Sequence, residues 1–182
     1  LRKTNVYMAN DITVIWLAAA LFVMAISLFL LVRPYFPVAV TAYASLWFMK
    51  WSHVIHPGDW LMTSWGIAVA IVLVIDMMQP RRLARCTNGM TYIGIGAIVG
   101  MMVGMTGFSY LWMVAGAAIG VIAGGYVYAR TPAGKPLGFP SAQFFQYLCA
   151  KGLPAVVTVS IIGIAVMLWI IEQHPVATIQ YM

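Results

Sequence analysis

The sequence predicts an all-α integral membrane protein with four transmembrane helices plus one short re-entrant or interfacial helix, five spans being possible, and a glycine-zipper hairpin. The 182 residues are 63% hydrophobic and 8% charged, with a mean hydropathy of +0.93, which excludes a soluble domain with a polar surface. Apolar runs of membrane-spanning length alternate with short clusters of Lys and Arg. Glycines recur at four-residue intervals within two of these runs. We expect a single polytopic membrane domain over residues 1–182.

The first apolar run extends from Ile12 to Val32 and contains no charge over 21 residues. This length crosses a hydrocarbon core about 30 Å thick, so we predict the first transmembrane helix at about 12–32. Arg33 and Pro34 end the run, because proline interrupts a helix. The run is too long for the core of a signal peptide and no small-residue cleavage site follows it, so no cleavable signal is expected.

The next segment, Pro37 to Ile55, has more than one interpretation. It is apolar and aromatic as far as Met49 and then includes Lys50 and His53, so it can be a short span, a half-span that returns, or a helix lying at the interface. The count of positive residues on the two sides is eight against two if the segment returns and seven against three if it spans. Both counts satisfy the positive-inside rule, and the difference of one charge slightly favours the re-entrant or interfacial helix.

The remaining spans are predicted from uncharged or nearly uncharged runs at about 60–78, 91–106, 108–129 and 153–171. The loop RRLARCTNG holds the densest positive cluster of the chain, which indicates the cytoplasmic side of a cell inner membrane. Loops 79–90 and 130–152 are therefore expected to be cytoplasmic and the C-terminus outside. Cys86 and Cys149 lie in these loops, where free thiols are expected rather than a disulfide.

The loop from Arg130 to Gly152 contains three prolines followed by an apolar, aromatic run from Phe144 to Cys149. Such a run predicts a short amphipathic helix on the membrane surface. The alternative interpretation is an N-terminal extension of the last helix that bends at Pro154.

Glycine spacing defines the hairpin at residues 94–125. Residues four apart share one face of an α-helix, so each glycine series leaves a surface without side chains that another helix backbone can approach closely. In water each of these mid-helix glycines would cost about 1 kcal/mol relative to alanine, which favours a membrane setting. The predicted helix-packing residues are Gly96, Gly100 and Gly104 in the first half and Gly116, Gly120 and Gly124 in the second.

Few polar residues are candidates for a functional site. His53, His56 and Asp59 are spaced by three, so on one continuous helix they would offer two imidazoles and a carboxylate to a metal. Pro57 and Gly58 interrupt that helix. We therefore predict no metal site and interpret the three residues as a polar corner at the outer interface.

Asp76 is the other polar candidate, because a carboxylate near the end of an apolar span needs a partner or water. The simplest interpretation is a structural ion pair with Arg81 or Arg82, about one turn beyond it, and the alternative is a proton or ion relay. The sequence contains no phosphate-binding loop, nucleophile constellation, zinc spacing or haem motif. No cofactor and no catalytic residue is predicted, and a structural component is favoured over an enzyme. A membrane enzyme acting on lipid is a third alternative, for which the corner at His53, His56 and Asp59 is the one candidate site.

The order of parts resembles the bacterial membrane family known as DUF456. The resemblance is carried by an apolar first helix, a proline-containing corner (LVRPYFP), an aromatic half-helix (AVTAYASLWFMKW), a span ending near Asp76, a basic loop and a glycine-zipper hairpin. These features cover about residues 12–171. The resemblance implies the architecture and no activity, since the family itself has no established one.

These features predict a structural or assembly component of a membrane complex. The expected partners are the lipid bilayer and other membrane subunits or further copies of the chain. Nucleic acid is not expected, because the net charge of +6 comes from loops between spans, where positive residues orient membrane helices. The alternative function is a small homo-oligomeric transporter or channel with Asp76 near the path.

Overall fold

The computed structural model describes residues 2–32, 37–78, 89–107 and 109–173. Within these ranges the chain is helical and contains no strand, which confirms the predicted all-α class. The α-helices are α1 (Arg2–Val32), α2 (Val38–Trp51), α3 (Asp59–Met77), α4 (Met90–Met105), α5 (Tyr110–Ala129), α6 (Ala142–Tyr147) and α7 (Leu153–Gln173). A 3-10 turn (Lys135–Leu137) follows α5, and a π-helical segment (Leu148–Gly152) joins α6 to α7.

Four stretches of the described chain are long and apolar enough to cross a membrane. α4 is also apolar but shorter, with 16 residues. At 1.5 Å per residue, α4 covers about 24 Å. The four longer stretches approach or exceed the thickness of a hydrocarbon core, which is about 30 Å. The architecture is therefore that of a multi-pass membrane protein. The four stretches are Thr13–Leu31, Asp59–Met77, Tyr110–Ala129 and Ala142–Glu172.

The last helix, α7, forms the centre of the bundle. Its middle section is buried on every side, with Val159, Ile161 and Ala165 at 0% exposure, and it contacts α1, α2, α3, α4 and α5. The surrounding helices expose apolar side chains outward, for example Phe22 on α1 and Ile67 on α3. A helix that is apolar all round belongs in the interior of a bundle, and outward apolar faces suit contact with lipid.

The short helix α2 runs antiparallel to α1. Near its C-terminus, the rings of Phe48 and Trp51 lie 5.8 and 5.3 Å from that of Trp16. Towards its N-terminus, Thr41 accepts a hydrogen bond from Ser27, farther along α1, at 3.0 Å. With 14 residues, α2 rises about 21 Å, less than a full hydrocarbon core.

The two ends of α2 lie at opposite ends of the bundle. Lys50, in the last turn of α2, pairs with Asp59 at the start of α3. Pro37, at the start of α2, lines a small cavity together with Asp76 from the end of α3. Of the interpretations left open by the sequence, this placement favours a short span over a helix that lies on the surface or returns.

The chain before α7 does not form the separate surface helix expected from the sequence. α6, the π-helical segment and α7 make one continuous helix, which is the alternative interpretation. The reason is burial, because Phe144 and Tyr147 are 1% and 0% exposed and the ring of Tyr147 stacks on Tyr128 of α5. The π-helical segment ends two residues before Pro154, whose missing N–H prevents a regular hydrogen-bond ladder there.

Candidate functional site

The structure brings the two glycine series together across the α4–α5 hairpin. A Cβ built on Gly100 would lie 2.1 Å from the carbonyl oxygen of Gly116, and one built on Gly120 would lie 2.0 Å from that of Gly96. Real Cβ atoms essentially never come within 3.0 Å of such an atom. The backbones of the two helices are therefore in direct contact. The other members of the series are as close, at 2.2 to 2.3 Å from an oxygen of the opposite helix: Gly96, Gly104, Gly116 and Gly124.

Direct backbone contact is a strong form of helix association in lipid. The hydrophobic effect does not drive two helices together within a bilayer, so van der Waals packing provides much of the attraction. Contacts between Cα–H groups and carbonyl oxygens across such an interface add to it. The glycine faces therefore let the backbones of α4 and α5 pack in van der Waals contact.

An apolar groove of about 790 Å³ runs along the outward side of this hairpin. The glycines of both helices form its floor. Trp112 and Thr106 border it at the turn between the helices, and Tyr92 and Val127 border it at the other end. The flanks of the groove are exposed and apolar: Ile95, Val99 and Val103 on α4, and Ala115, Ile119 and Ala123 on α5.

Arg130 follows α5 at the Val127 end of the groove and is exposed. Its guanidinium lies 4.5 Å from the centre of the Tyr126 ring and donates a hydrogen bond to the Tyr126 hydroxyl. Tyr126 in turn packs edge-on against Phe139 at 5.1 Å. The positive charge is thus held beside an aromatic face by a cation–π contact.

Asp76 lines a second, smaller cavity of about 40 Å³ where the ends of several helices meet. Lys151, from the π-helical segment, lines the same cavity, together with Pro37 and Met90. The predicted partners Arg81 and Arg82 lie outside the described residues. Nothing in local spacing predicts that Lys151 lines the same cavity as Asp76, because the two residues are distant in the chain and meet through the packing of α3 on the last helix.

The polar corner between α2 and α3 does not bring its residues to one point. Asp59 accepts a hydrogen bond from Lys50 Nζ at 2.9 Å, whereas the backbone N–H of His56 donates to Glu172 Oε1 at 2.8 Å. His53 sits in the turn with a φ of 55°, in the left-handed region. No group of three His, Cys, Asp or Glu side chains that could hold a metal occurs in the part of the chain that the structure describes.

Glu172 is a residue of this corner that the sequence analysis missed. Its carboxylate lies 3.7 Å from His56 Nδ1 in addition to the backbone contact, so it ties the end of α7 to the α2–α3 corner. The only available signal was its position at the expected outer end of the last span, on the same side as the corner.

The helices and their apolar outer faces define this chain as a multi-pass, all-α membrane protein. No family model, curated protein or solved structure matches it. The resemblance to the DUF456 family stays a prediction.

Proposed function

We propose that this protein is a structural or assembly component of a membrane complex. The observation that carries the proposal is a stripe along α1, which we call the α1 stripe. Ile15, Phe22 and Phe29 are seven residues apart and are 65%, 68% and 65% exposed. Ala18 and Ala25, also exposed and seven apart, lie between them. A seven-residue repeat of large and small apolar residues suits side-by-side packing with a further membrane helix.

The closely packed hairpin supports the same role. α4 and α5 are in backbone contact, and α7 is enclosed by the other helices. α1 packs on α2, α4 and α7 of this framework, so its stripe is the outward face of a packed bundle. We propose that the neighbour on the α1 stripe is a helix of another membrane subunit or of a second copy, and that the chain is not an enzyme.

Mild detergent extraction followed by mass measurement of the intact complex tests this role. The wild-type chain is expected in a species heavier than its own 20.0 kDa. Phe22→Ala should reduce that species about fivefold, because the loss of one aromatic contact at a helix interface costs about 1 kcal/mol. Ile71→Ala on α3, which removes a 53% exposed apolar side chain elsewhere, is the control and should leave the complex intact. A wild-type chain that is always extracted alone would contradict the proposal.

A small homo-oligomeric transporter or channel is the second candidate, and the cavity at Asp76 favours it. A carboxylate and an ammonium group, on Asp76 and Lys151, line a space of about 40 Å³, enough for about one water molecule. Ion or proton flux in liposomes that Asp76→Asn alters, and that Asp59→Asn at the other end does not, would support this function. Liposomes that show no flux with the wild-type protein would exclude it.

A further inference from the structure

The groove on the α4–α5 hairpin has the dimensions of a site for a hydrocarbon chain. From Tyr92 to Gly107 it follows α4 for about 22 Å at 1.5 Å per residue. Each leaflet contributes about half of a 30 Å hydrocarbon core, so one acyl chain occupies about 15 Å along the same direction. The floor of the groove is glycine backbone and its flanks are aliphatic, which leaves an apolar channel between two ridges.

A positive charge follows one end of this groove, one helical turn beyond its last lining residue. The groove-lining residues of α5 recur every three or four positions and end with Ala123 and Val127. Arg130 continues that series by three, and its backbone keeps helical angles of −82° and −14°. Its side chain therefore starts from the groove face of the helix, one turn beyond the last lining residue.

The surroundings of Arg130 favour an anion. Between Asp76 and Glu172 the sequence has six Lys or Arg residues and no acidic residue, so neither helix of the hairpin contributes a negative side chain. A guanidinium has five N–H donors, so the hydrogen bond to Tyr126 is compatible with a two-pronged contact to phosphate oxygens.

We propose that the groove binds one acyl chain of an anionic phospholipid from the surrounding bilayer, with the lipid phosphate on Arg130. A second copy of this chain fits the groove less well. Two copies inserted in the same direction would place both Arg130 side chains at the same depth along a shared hairpin interface, where like charges repel. The inference concerns the hairpin and is independent of the assembly role, which rests on α1.

Native mass spectrometry of the detergent-purified chain with added lipid tests the site. Dioleoyl phosphatidylglycerol is the anionic probe and dioleoyl phosphatidylcholine the zwitterionic one. We expect one phosphatidylglycerol molecule retained per chain, about fivefold more strongly than phosphatidylcholine, since one Arg at a lipid surface contributes about that factor. Inorganic phosphate should not displace the phosphatidylglycerol, because the acyl chain in the groove contributes binding energy that free phosphate lacks.

Two variants with matched controls separate the headgroup from the chain. Arg130→Gln should abolish the fivefold preference, whereas Lys151→Gln, which removes a charge outside the groove, should keep it. Ala123→Phe should fill the groove and lower retention of both lipids about tenfold, whereas Ala70→Phe, at an exposed position of α3, should not. Ala115→Phe, on the same flank nearer the turn, serves the same purpose if the Ala123 variant does not fold.

Three results would overturn the proposal. Equal retention of the two lipids by the wild-type chain would show that Arg130 does not select an anionic headgroup. Unchanged retention in a folded Ala123→Phe or Ala115→Phe variant would place the lipid elsewhere. Disulfide formation between copies through Ile119→Cys, in a background without the native cysteines, would show that a second copy covers the groove.

Discussion

Gly100 and Gly120 lie at the middle of the two glycine series, where each faces a carbonyl oxygen of the opposite helix. Leucine at either position must push α4 and α5 apart. Overpacking costs about 1–3 kcal/mol per site, a large share of the packing energy between two helices in lipid. Alanine is expected to separate them too, because a Cβ alone would lie 2.1 or 2.0 Å from that oxygen.

The measurement for these glycines is the folded fraction after heating in detergent. Gly100→Leu and Gly120→Leu should unfold at clearly lower temperature than the wild type. Val103→Leu, at a 65% exposed position of α4, should match the wild type, because the outward side accommodates an added methylene. Equal behaviour of the three variants would show that the glycines do not hold the hairpin.

Thr158, in the centre of α7, offers a test of a different kind. Its hydroxyl is fully buried and has no hydrogen-bond partner in the part of the chain described. A buried polar group without a partner costs about 1–3 kcal/mol, and valine has nearly the same shape. Thr158→Val should therefore increase the free energy of unfolding by about 1 kcal/mol, which is measured as a higher unfolding midpoint.

Ser45 is the matched control for Thr158. It is also fully buried, but its hydroxyl donates to the carbonyl of Ala42 at 2.7 Å. Ser45→Ala should be neutral or destabilise the protein by about 1 kcal/mol. A stabilising Ser45→Ala together with a destabilising Thr158→Val would show that a water or another group satisfies Thr158.

Spacing along one helix can be predicted from the sequence, whereas partners from distant helices cannot. The four-residue glycine intervals pointed to the faces that the structure brings together at Gly96, Gly100, Gly116 and Gly120. The proximity of Lys151 to Asp76 and of Glu172 to His56 depends on how the last helix packs, and nothing in local spacing encodes it.

At the scale of elements, apolar length predicted the long helices, but the placement of short ones escaped prediction. α2 and α6 are apolar and aromatic on more than one face, so periodicity does not distinguish a surface helix from a buried one. Burial of Leu46 and Met49 on α2 comes from contacts with neighbouring helices, and Phe144 on α6 packs against Gly125 of α5 and Phe139 of the preceding loop. Only the tertiary structure supplies that information.

The placement of α2 makes a prediction about sides. If α1 and α2 both cross the membrane, Asn5 and Gly58 lie on the same side; if α2 returns, they lie on opposite sides. Gly58 is a suitable labelling site because it is exposed and a Cβ there meets nothing within 4 Å. We expect Asn5→Cys and Gly58→Cys, each in a background without Cys86 and Cys149, to react with an impermeant maleimide from the same side. Reaction from opposite sides would contradict the short span.

The link between Glu172 and the α2–α3 corner predicts a local effect. Glu172→Ala removes the acceptor for the His56 N–H, so hydrogen exchange at residues 53–56 should become about fivefold faster, as expected for a hydrogen bond worth about 1 kcal/mol. Exchange in α4 and α5 should not change, because the hydrogen bonds and ion pairs described for this corner join α2, α3 and α7 and not the hairpin. An equal increase in both regions would mean that Glu172 acts on global stability instead.

At the scale of the whole molecule, the charge distribution divides the two ends of the bundle. Of the six positive residues between Asp76 and Glu172, Arg130, Lys135 and Lys151 lie at the end where α3 and α5 finish, whereas Gly58 belongs to the opposite corner. The other three, Arg81, Arg82 and Arg85, fall in the sequence between α3 and α4, outside the described residues. The positive-inside rule then predicts that this end faces the cytoplasm. The fold shows which residues lie at each end of the bundle. Which end faces the cytoplasm is predicted by the positive-inside rule, because that rule concerns insertion into a membrane.

Cys149 is exposed at the positive end and provides the test of direction. In intact cells carrying Cys86→Ser, Cys149 should react with a maleimide that crosses membranes and resist one that does not. Gly58→Cys, in a chain without native cysteines, should react with the impermeant reagent, because it lies at the other end of the bundle. Protection of Cys149 together with labelling of Gly58→Cys is expected if the positive residues stay in the cytoplasm during insertion. The reverse pattern would invert the topology and place Arg130, with its groove, at the outer surface.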